Sequence, residues 1–232
     1  MKGEGTGNPP SAVVLLSGGM DSAVAGAWAR AEGYGILALT VDYGQRHRVE
    51  IDAARKVARW LGVREHVELR VDLRDVGGSA LTGGIPVPRG PTEGIPATYV
   101  PARNTLFLAL ALGLAEARQA GAIVIGANRI DFSGYPDCRR EFLDAFARVA
   151  ETGTKAGVEG KAPKVLAPLL DLSKEGIVRL GARLSVPFAD TISCYDPSPD
   201  GRPCGTCDAC RLRRKGFAAA GTSDPTAPPE GR

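Results

Sequence analysis

Ala12-Val13-Val14-Leu15-Leu16-Ser17-Gly18-Gly19-Met20-Asp21-Ser22 joins a short apolar run to a glycine turn and then to a helix-patterned segment. Strand, glycine turn and helix together form a phosphate-holding geometry. The glycines let the backbone approach an anion, the freed N–H groups point at it, and the helix N-terminus adds about half a positive charge. Ser17 and Ser22 add hydroxyl donors. A Walker loop needs a lysine in the turn, and a dinucleotide fingerprint needs a third glycine; both are missing here. Asp21 beside a bound phosphate implies an intervening cation such as Mg²⁺, and its alternative role is to cap the helix.

Outward from this turn, strand-length apolar runs alternate with helix patterns, the signature of a doubly wound, mainly parallel sheet in an α/β fold. Five strands are expected at 12–16, 36–41, 65–71, 123–125 and 164–166, with helices at 21–32, 50–61, 104–120 and 139–151. A further helix follows Ser173, which supplies an N-cap before Ile177, Leu180 and Leu184 at helical spacing. Residues 76–101 hold six Gly and five Pro, which marks a functional loop or lid. Residues 152–163 read as a second, polar loop. Residues 1–11 and 221–232 are expected to be disordered, around an α/β domain at 12–190 and a small C-terminal segment at 191–220.

The 232 residues carry 29 Lys plus Arg against 26 Asp plus Glu, a net charge of +3, with 44% apolar residues. That balance excludes a disordered chain and a nucleic-acid-coating protein. The longest apolar stretch, 105–115, is too short to span a bilayer, and no signal-peptide core follows the N-terminus, so a cytoplasmic enzyme is expected. Four of the five cysteines, Cys194, Cys204, Cys207 and Cys210, are spaced Cys-x9-Cys-x2-Cys-x2-Cys. Four thiolates at this spacing suit a closed, structural Zn²⁺ site; an iron–sulfur cluster and redox-active thiols are the alternatives. Cys138 stands apart, either as a packed thiol or as a reactive one.

Ser-Gly-Gly-x-Asp-Ser after the first strand resembles the pyrophosphate loop of the N-type ATP pyrophosphatases, whose fold is of the adenine nucleotide alpha hydrolase type. Further motifs narrow the match. They are Asp42-Tyr43-Gly44-Gln45-Arg46-His47, Tyr99-Val100-Pro101-Ala102-Arg103-Asn104, the run from Gly126 through Asp131 and Tyr135-Pro136-Asp137-Cys138 to Arg139, and Ser193-Cys194-Tyr195 with the cysteine cluster. Together, over residues 12–217, these resemble the 7-cyano-7-deazaguanine synthase family. The resemblance implies a ligase that uses ATP with Mg²⁺ to convert 7-carboxy-7-deazaguanine and ammonia into the nitrile, in a homodimer with structural zinc. It implies ATP contacts at Leu16, Ser17, Gly18, Gly19, Met20, Asp21, Ser22, Val41 and Asp42. Ser17, Asp21, Ser22 and Arg103 are implied as catalytic. Tyr43, Gln45, Arg46, Arg103, Asn104, Asp131, Tyr135, Asp137 and Arg139 are implied to bind substrate, with Asp131 or Asp137 reading ring N–H donors and Arg103 or Arg139 pairing with a carboxylate or phosphate.

Two rival readings stand beside this one. A tRNA-modifying adenylase of the same superfamily would need a basic surface, for which only Arg211, Arg213, Arg214 and Lys215 offer a cluster. A non-catalytic zinc-ribbon adaptor would leave the intact loop at 17–22 without purpose. Of the two histidines, His66 reads as structural, and His47 as a weak candidate for proton transfer.

Overall fold

A computed structural model of the chain describes residues 9–45, 47–90, 94–128 and 135–227. Five strands, β1 (Ser11–Leu15), β2 (Gly35–Asp42), β3 (Glu65–Arg70), β4 (Ala122–Val124) and β5 (Lys164–Leu166), form one sheet in the order β3-β2-β1-β4-β5. Every pairing is parallel. Among the described residues seven α-helices flank it: α1 (Met20–Ala31), α2 (Val49–Leu61), α3 (Arg103–Ala117), α4 (Arg140–Gly153), α5 (Lys155–Val158), which packs on α4, α6 (Lys174–Arg183) and α7 (Asp208–Ala220). The expected strands and long helices are all present, with ends that coincide or are displaced by at most three residues.

The central strand β1 is apolar from Ala12 to Leu15 because both of its faces are covered. Val13 and Leu15 join one core layer with Leu108 and Leu112 of α3 and Phe146 of α4. Ala12 and Val14 join the other, with Val24 of α1, Val57 of α2, Ile177 of α6 and Phe217 of α7. The alternation is the two-residue period of a strand. Strand order reverses between β1 and β4, the point at which open parallel sheets form a ligand crevice beyond their carboxyl ends. The glycine turn lies there.

Three expectations need correction. Ser11, assigned to a disordered N-terminus, opens β1 and pairs with Gly35. The polar segment 152–163 holds the end of α4 and all of α5, whose N-cap Thr154 accepts a bond from the Gly157 N–H through its hydroxyl. Residues 221–227, expected to be disordered, turn back so that Asp224 meets Arg213 of α7 in a nearly buried ion pair. Among the described residues no helix is long and apolar enough to cross a membrane.

Candidate active site

A cleft of about 270 Å³ opens beyond β1, β2 and β4. The expected residues Leu16, Ser17, Gly19, Met20, Asp21, Ser22, Val41, Tyr43, Gln45, Arg103, Asn104 and Tyr135 all line it. No side chain caps α1, so its first-turn N–H groups remain available to an anion. The turn is braced from within. Ser17 Oγ lies 3.1 Å from Ser22 Oγ, and Ser22 Oγ donates to the Gly19 carbonyl at 2.9 Å. Gly18 does not line the cleft; it has φ +81°, and a Cβ there would stand 2.3 Å from the Glu50 carbonyl oxygen. Its role is to let α2 close on the turn.

Asp21 has a partner that sequence reading missed. Lys174, buried at the start of α6, donates from Nζ to Asp21 Oδ2 at 2.5 Å. An ammonium of the chain itself therefore stands beside this carboxylate. Asp21 Oδ1 is buried without a hydrogen-bond partner among the described residues, so one oxygen still fits a role as a ligand to Mg²⁺. A signal for Lys174 was present: a lysine in a first helical turn faces the positive end of the dipole and needs a reason to be there.

Opposite the turn, Arg103 is aimed inward by Ala102, a non-glycine residue held at φ 54°. This left-handed conformation costs about 1 kcal/mol. The guanidinium carbon of Arg103 lies 5.8 Å from the Tyr43 ring centroid. Burial pushes the Tyr43 hydroxyl up to about 12. Tyr135 shares a 2.8 Å bond with Thr98 and stands 3.5 Å from the Tyr195 hydroxyl. Glu50 also faces this cleft and was not anticipated; burial pushes its carboxyl up to about 7 against the opposing pull of Arg103.

Other expected residues take different places. Asp42 accepts from the Gly44 N–H at 3.3 Å and is not part of the cleft lining. Asp137 is buried and accepts from the Asn104 N–H at 3.1 Å, while Asn104 Nδ2 donates back to the Asp137 carbonyl at 3.0 Å. It thus ties down the start of α3. Arg139 is exposed outside the lining. Arg46 and Asp131 lie outside the described residues. Burial pushes the Cys138 thiol up to about 11, which favours the packing role over a nucleophilic one. His66 shares a 2.8 Å bond with Thr40 inside the sheet, and His47 Nε2 stands 3.5 Å from Asp196.

The sulfurs of Cys194, Cys204, Cys207 and Cys210 lie within 4.8 Å of one another. A tetrahedral ion with bonds of about 2.3 Å needs sulfurs roughly 3.8 Å apart, so the set fits a metal with small adjustment. Backbone N–H groups of Cys204 and Asp196 point at Cys194 Sγ at 3.2 and 3.3 Å, as suits a thiolate. Ala80 and Val87 of the Gly/Pro-rich loop pack on this cluster. Arg89 of the same loop bonds Thr206 at 2.5 Å and Asp196 at 2.7 Å, and Leu81 reaches the cleft. The cysteine segment therefore carries one wall of the site. Of the basic cluster on α7, Arg211 pairs with Asp208, Arg213 with Asp224, and Arg214 with the Gly205 carbonyl.

A family model described as queuosine biosynthesis protein QueC matches residues 11–221. Over 220 residues the chain is 58% identical to the 7-cyano-7-deazaguanine synthase of Stutzerimonas stutzeri (strain A1501), covering 94% of this chain and 98% of that protein. It is 57% identical over 216 residues to the synthase of the same name from Pseudomonas fluorescens (strain SBW25), covering 93% and 96%. Among solved structures, a 4-thiouridine synthetase–RNA complex with bound ATP matches with a TM-score of 0.50 at 20% identity, over 90% of this chain and 53% of that one, a likeness of fold alone. Near-complete coverage at this identity, on a chain whose glycine turn and cysteine cluster are both intact, makes it a member of the QueC family.

Proposed function

We propose that this chain is an ATP-dependent ligase that converts 7-carboxy-7-deazaguanine and ammonia into 7-cyano-7-deazaguanine for queuosine biosynthesis, activating first the carboxylate and then the amide. The observation that carries this reading is the uncapped helix start at 19–22, with the Asp21–Lys174 pair beside it, facing Arg103 and Tyr135 across one cleft. A carboxylate is a poor electrophile. Its oxygen attacks the α-phosphorus of ATP, and pyrophosphate leaves toward the first-turn N–H groups of α1 and the ammonium of Lys174, which stabilise the departing charge. Arg103 holds the substrate carboxylate in line. Ammonia then attacks the acyl carbon and AMP leaves, giving the amide. In the second round the amide oxygen takes AMP from another ATP. Loss of that AMP with the two amide protons leaves the nitrile.

Tyr135 and Tyr43 offer faces on which the flat deazapurine stacks, and Asp131 is the carboxylate suited to its ring N–H donors. Mg²⁺, held by Asp21 Oδ1, would supply charge neutralisation at the triphosphate. The four cysteines would hold structural zinc. The apolar helix α3, whose Ala109 and Gly113 are exposed, offers a face for a homodimer in the cytoplasm. Incubation with 7-carboxy-7-deazaguanine, ATP, Mg²⁺ and ¹⁵N-ammonium, followed by mass detection of a labelled nitrile, tests the reaction; unconsumed ATP and no nitrile would defeat it. Metal analysis, light scattering and a salt series of tRNA binding test the zinc, the dimer and the absence of stable nucleic-acid binding.

A further inference from the structure

The end of the chain has an arrangement that the reaction above does not use. Helix α7 stops at Gly221, whose φ of +71° turns the backbone so that the Thr222 N–H reaches the Phe217 carbonyl at 3.1 Å. The next residues form a compact turn around one carboxylate. Asp224 Oδ1 accepts from both the N–H and the hydroxyl of Thr226 at 2.9 Å, which fixes its orientation. The same carboxylate takes Arg213 in a two-pronged grip, from Nε to Oδ2 at 2.9 Å and from Nη2 to Oδ1 at 3.0 Å. The two side chains are only 5% and 8% exposed, so this pair is shielded as a surface ion pair is not.

Arg213 spends its remaining donors on a single segment. Nη1 bonds Thr191 Oγ1 at 2.8 Å and Ser193 Oγ at 3.4 Å, and Nη2 bonds the Phe188 carbonyl at 2.9 Å. Between Thr191 and Ser193, the Ile192 N–H donates to the Gly18 carbonyl in the pyrophosphate turn at 2.9 Å. Ile192, Ser193 and Arg213 all border the cleft. A continuous series of contacts thus runs from Asp224 through Arg213 and residues 191–193 to Gly18. The matched family segment ends at residue 221, before this carboxylate.

We propose that residues 222–227 are a positioning strap for the nucleotide cleft, in which Asp224 fixes Arg213 and thereby holds the 191–193 wall against the pyrophosphate turn. Asp224 touches no reacting atom; it acts through Arg213. The proposal rests on reading the cleft as the ATP site, and its test separates the two.

In the full-length protein, Asp224→Asn keeps the shape of the turn and removes the charge, and Thr226→Val removes only the hydroxyl bond that orients Asp224. Asp224→Asn is expected to raise the KM and the Kd for ATP about tenfold with kcat within about twofold, a loss of uniform binding, while KM for ammonium stays unchanged. Thr226→Val is expected to shift the same constants in the same direction by about threefold, and Asp224→Glu to restore most of the affinity. Amide hydrogen exchange at Ile192 is expected to quicken in Asp224→Asn, a readout that needs no ATP. Unchanged ATP affinity in both variants, or a lowered Tm with unchanged KM and unchanged exchange at Ile192, would overturn the strap. A wild-type chain that binds no ATP while Ile192 still loosens in Asp224→Asn would refute the assignment of the cleft and leave the strap standing.

Discussion

Replacing Lys174 with Met keeps most of the length of the side chain and removes its charge, leaving Asp21 in the cleft without its partner. The pair spans 2.5 Å, with Lys174 10% and Asp21 27% exposed. Breaking a fully buried pair from one side costs about 3–5 kcal/mol. Because Asp21 is partly exposed on the cleft, the cost falls at or just below the lower end of that range, and the folded state is expected to lose about 2–3 kcal/mol. The effect on ATP is separate. An uncompensated carboxylate about 5 Å from a phosphate oxygen, at an effective dielectric constant of about 20, repels it by about 3 kcal/mol, which is about a hundredfold in affinity. Calorimetric titration of ATP without divalent metal should show this loss in Lys174→Met. The double variant Asp21→Asn/Lys174→Met, in which neither charge is left, should recover to within about tenfold of the wild type, because the penalty belongs to the stranded carboxylate and not to the missing amine. ATP affinity within threefold of wild type in the single variant, or a double variant no better than the single, would refute this reasoning.

Gly18→Ala would force a side chain into a left-handed residue 2.3 Å from a backbone oxygen; a loss of more than about 2 kcal/mol in chemical denaturation and of ATP binding is expected. Burial raises the Glu50 carboxyl to about 7, so between pH 4.5 and 7 the folded state keeps a proton that the unfolded chain releases, and stability falls as pH rises. Glu50→Gln should therefore gain about 2–3 kcal/mol relative to wild type between pH 4.5 and pH 8, read from paired Tm or denaturant curves; a pH-independent difference would count against the buried carboxyl. Metal chelation should expose four fast-reacting thiols and loosen amide protection at Ala80 and Val87, while Cys138 stays slow to react with a thiol reagent.

What could be read from the chain was local. Strand β1, the turn at 17–22 and α1 are contiguous, so periodicity and the glycines suffice to place the turn at the mouth of the cleft, and the close cysteine spacing marks its own cluster. What escaped was set by distant contacts. Lys174 and Asp21 are 153 residues apart, and nothing next to either one names the other. Glu50 in the first turn of α2 looks like an ordinary dipole partner until the fold turns it into a crevice. Asp137 carries a carboxylate suited to a purine edge, yet the local approach of α3 gives it the Asn104 N–H first. The tail misled through composition, since a Gly/Ser/Pro/Thr-rich stretch lacks an apolar face and here is held by a single acidic side chain.

The cleft draws on both ends of the chain, from Ser17 near the start to Lys174, Ser193, Tyr195 and Arg213 near the finish. A nascent polypeptide that has already folded its first strands and the glycine turn still lacks the ammonium beside Asp21 and the wall against Gly18. The lining of the cleft is therefore complete only once synthesis has passed Arg213.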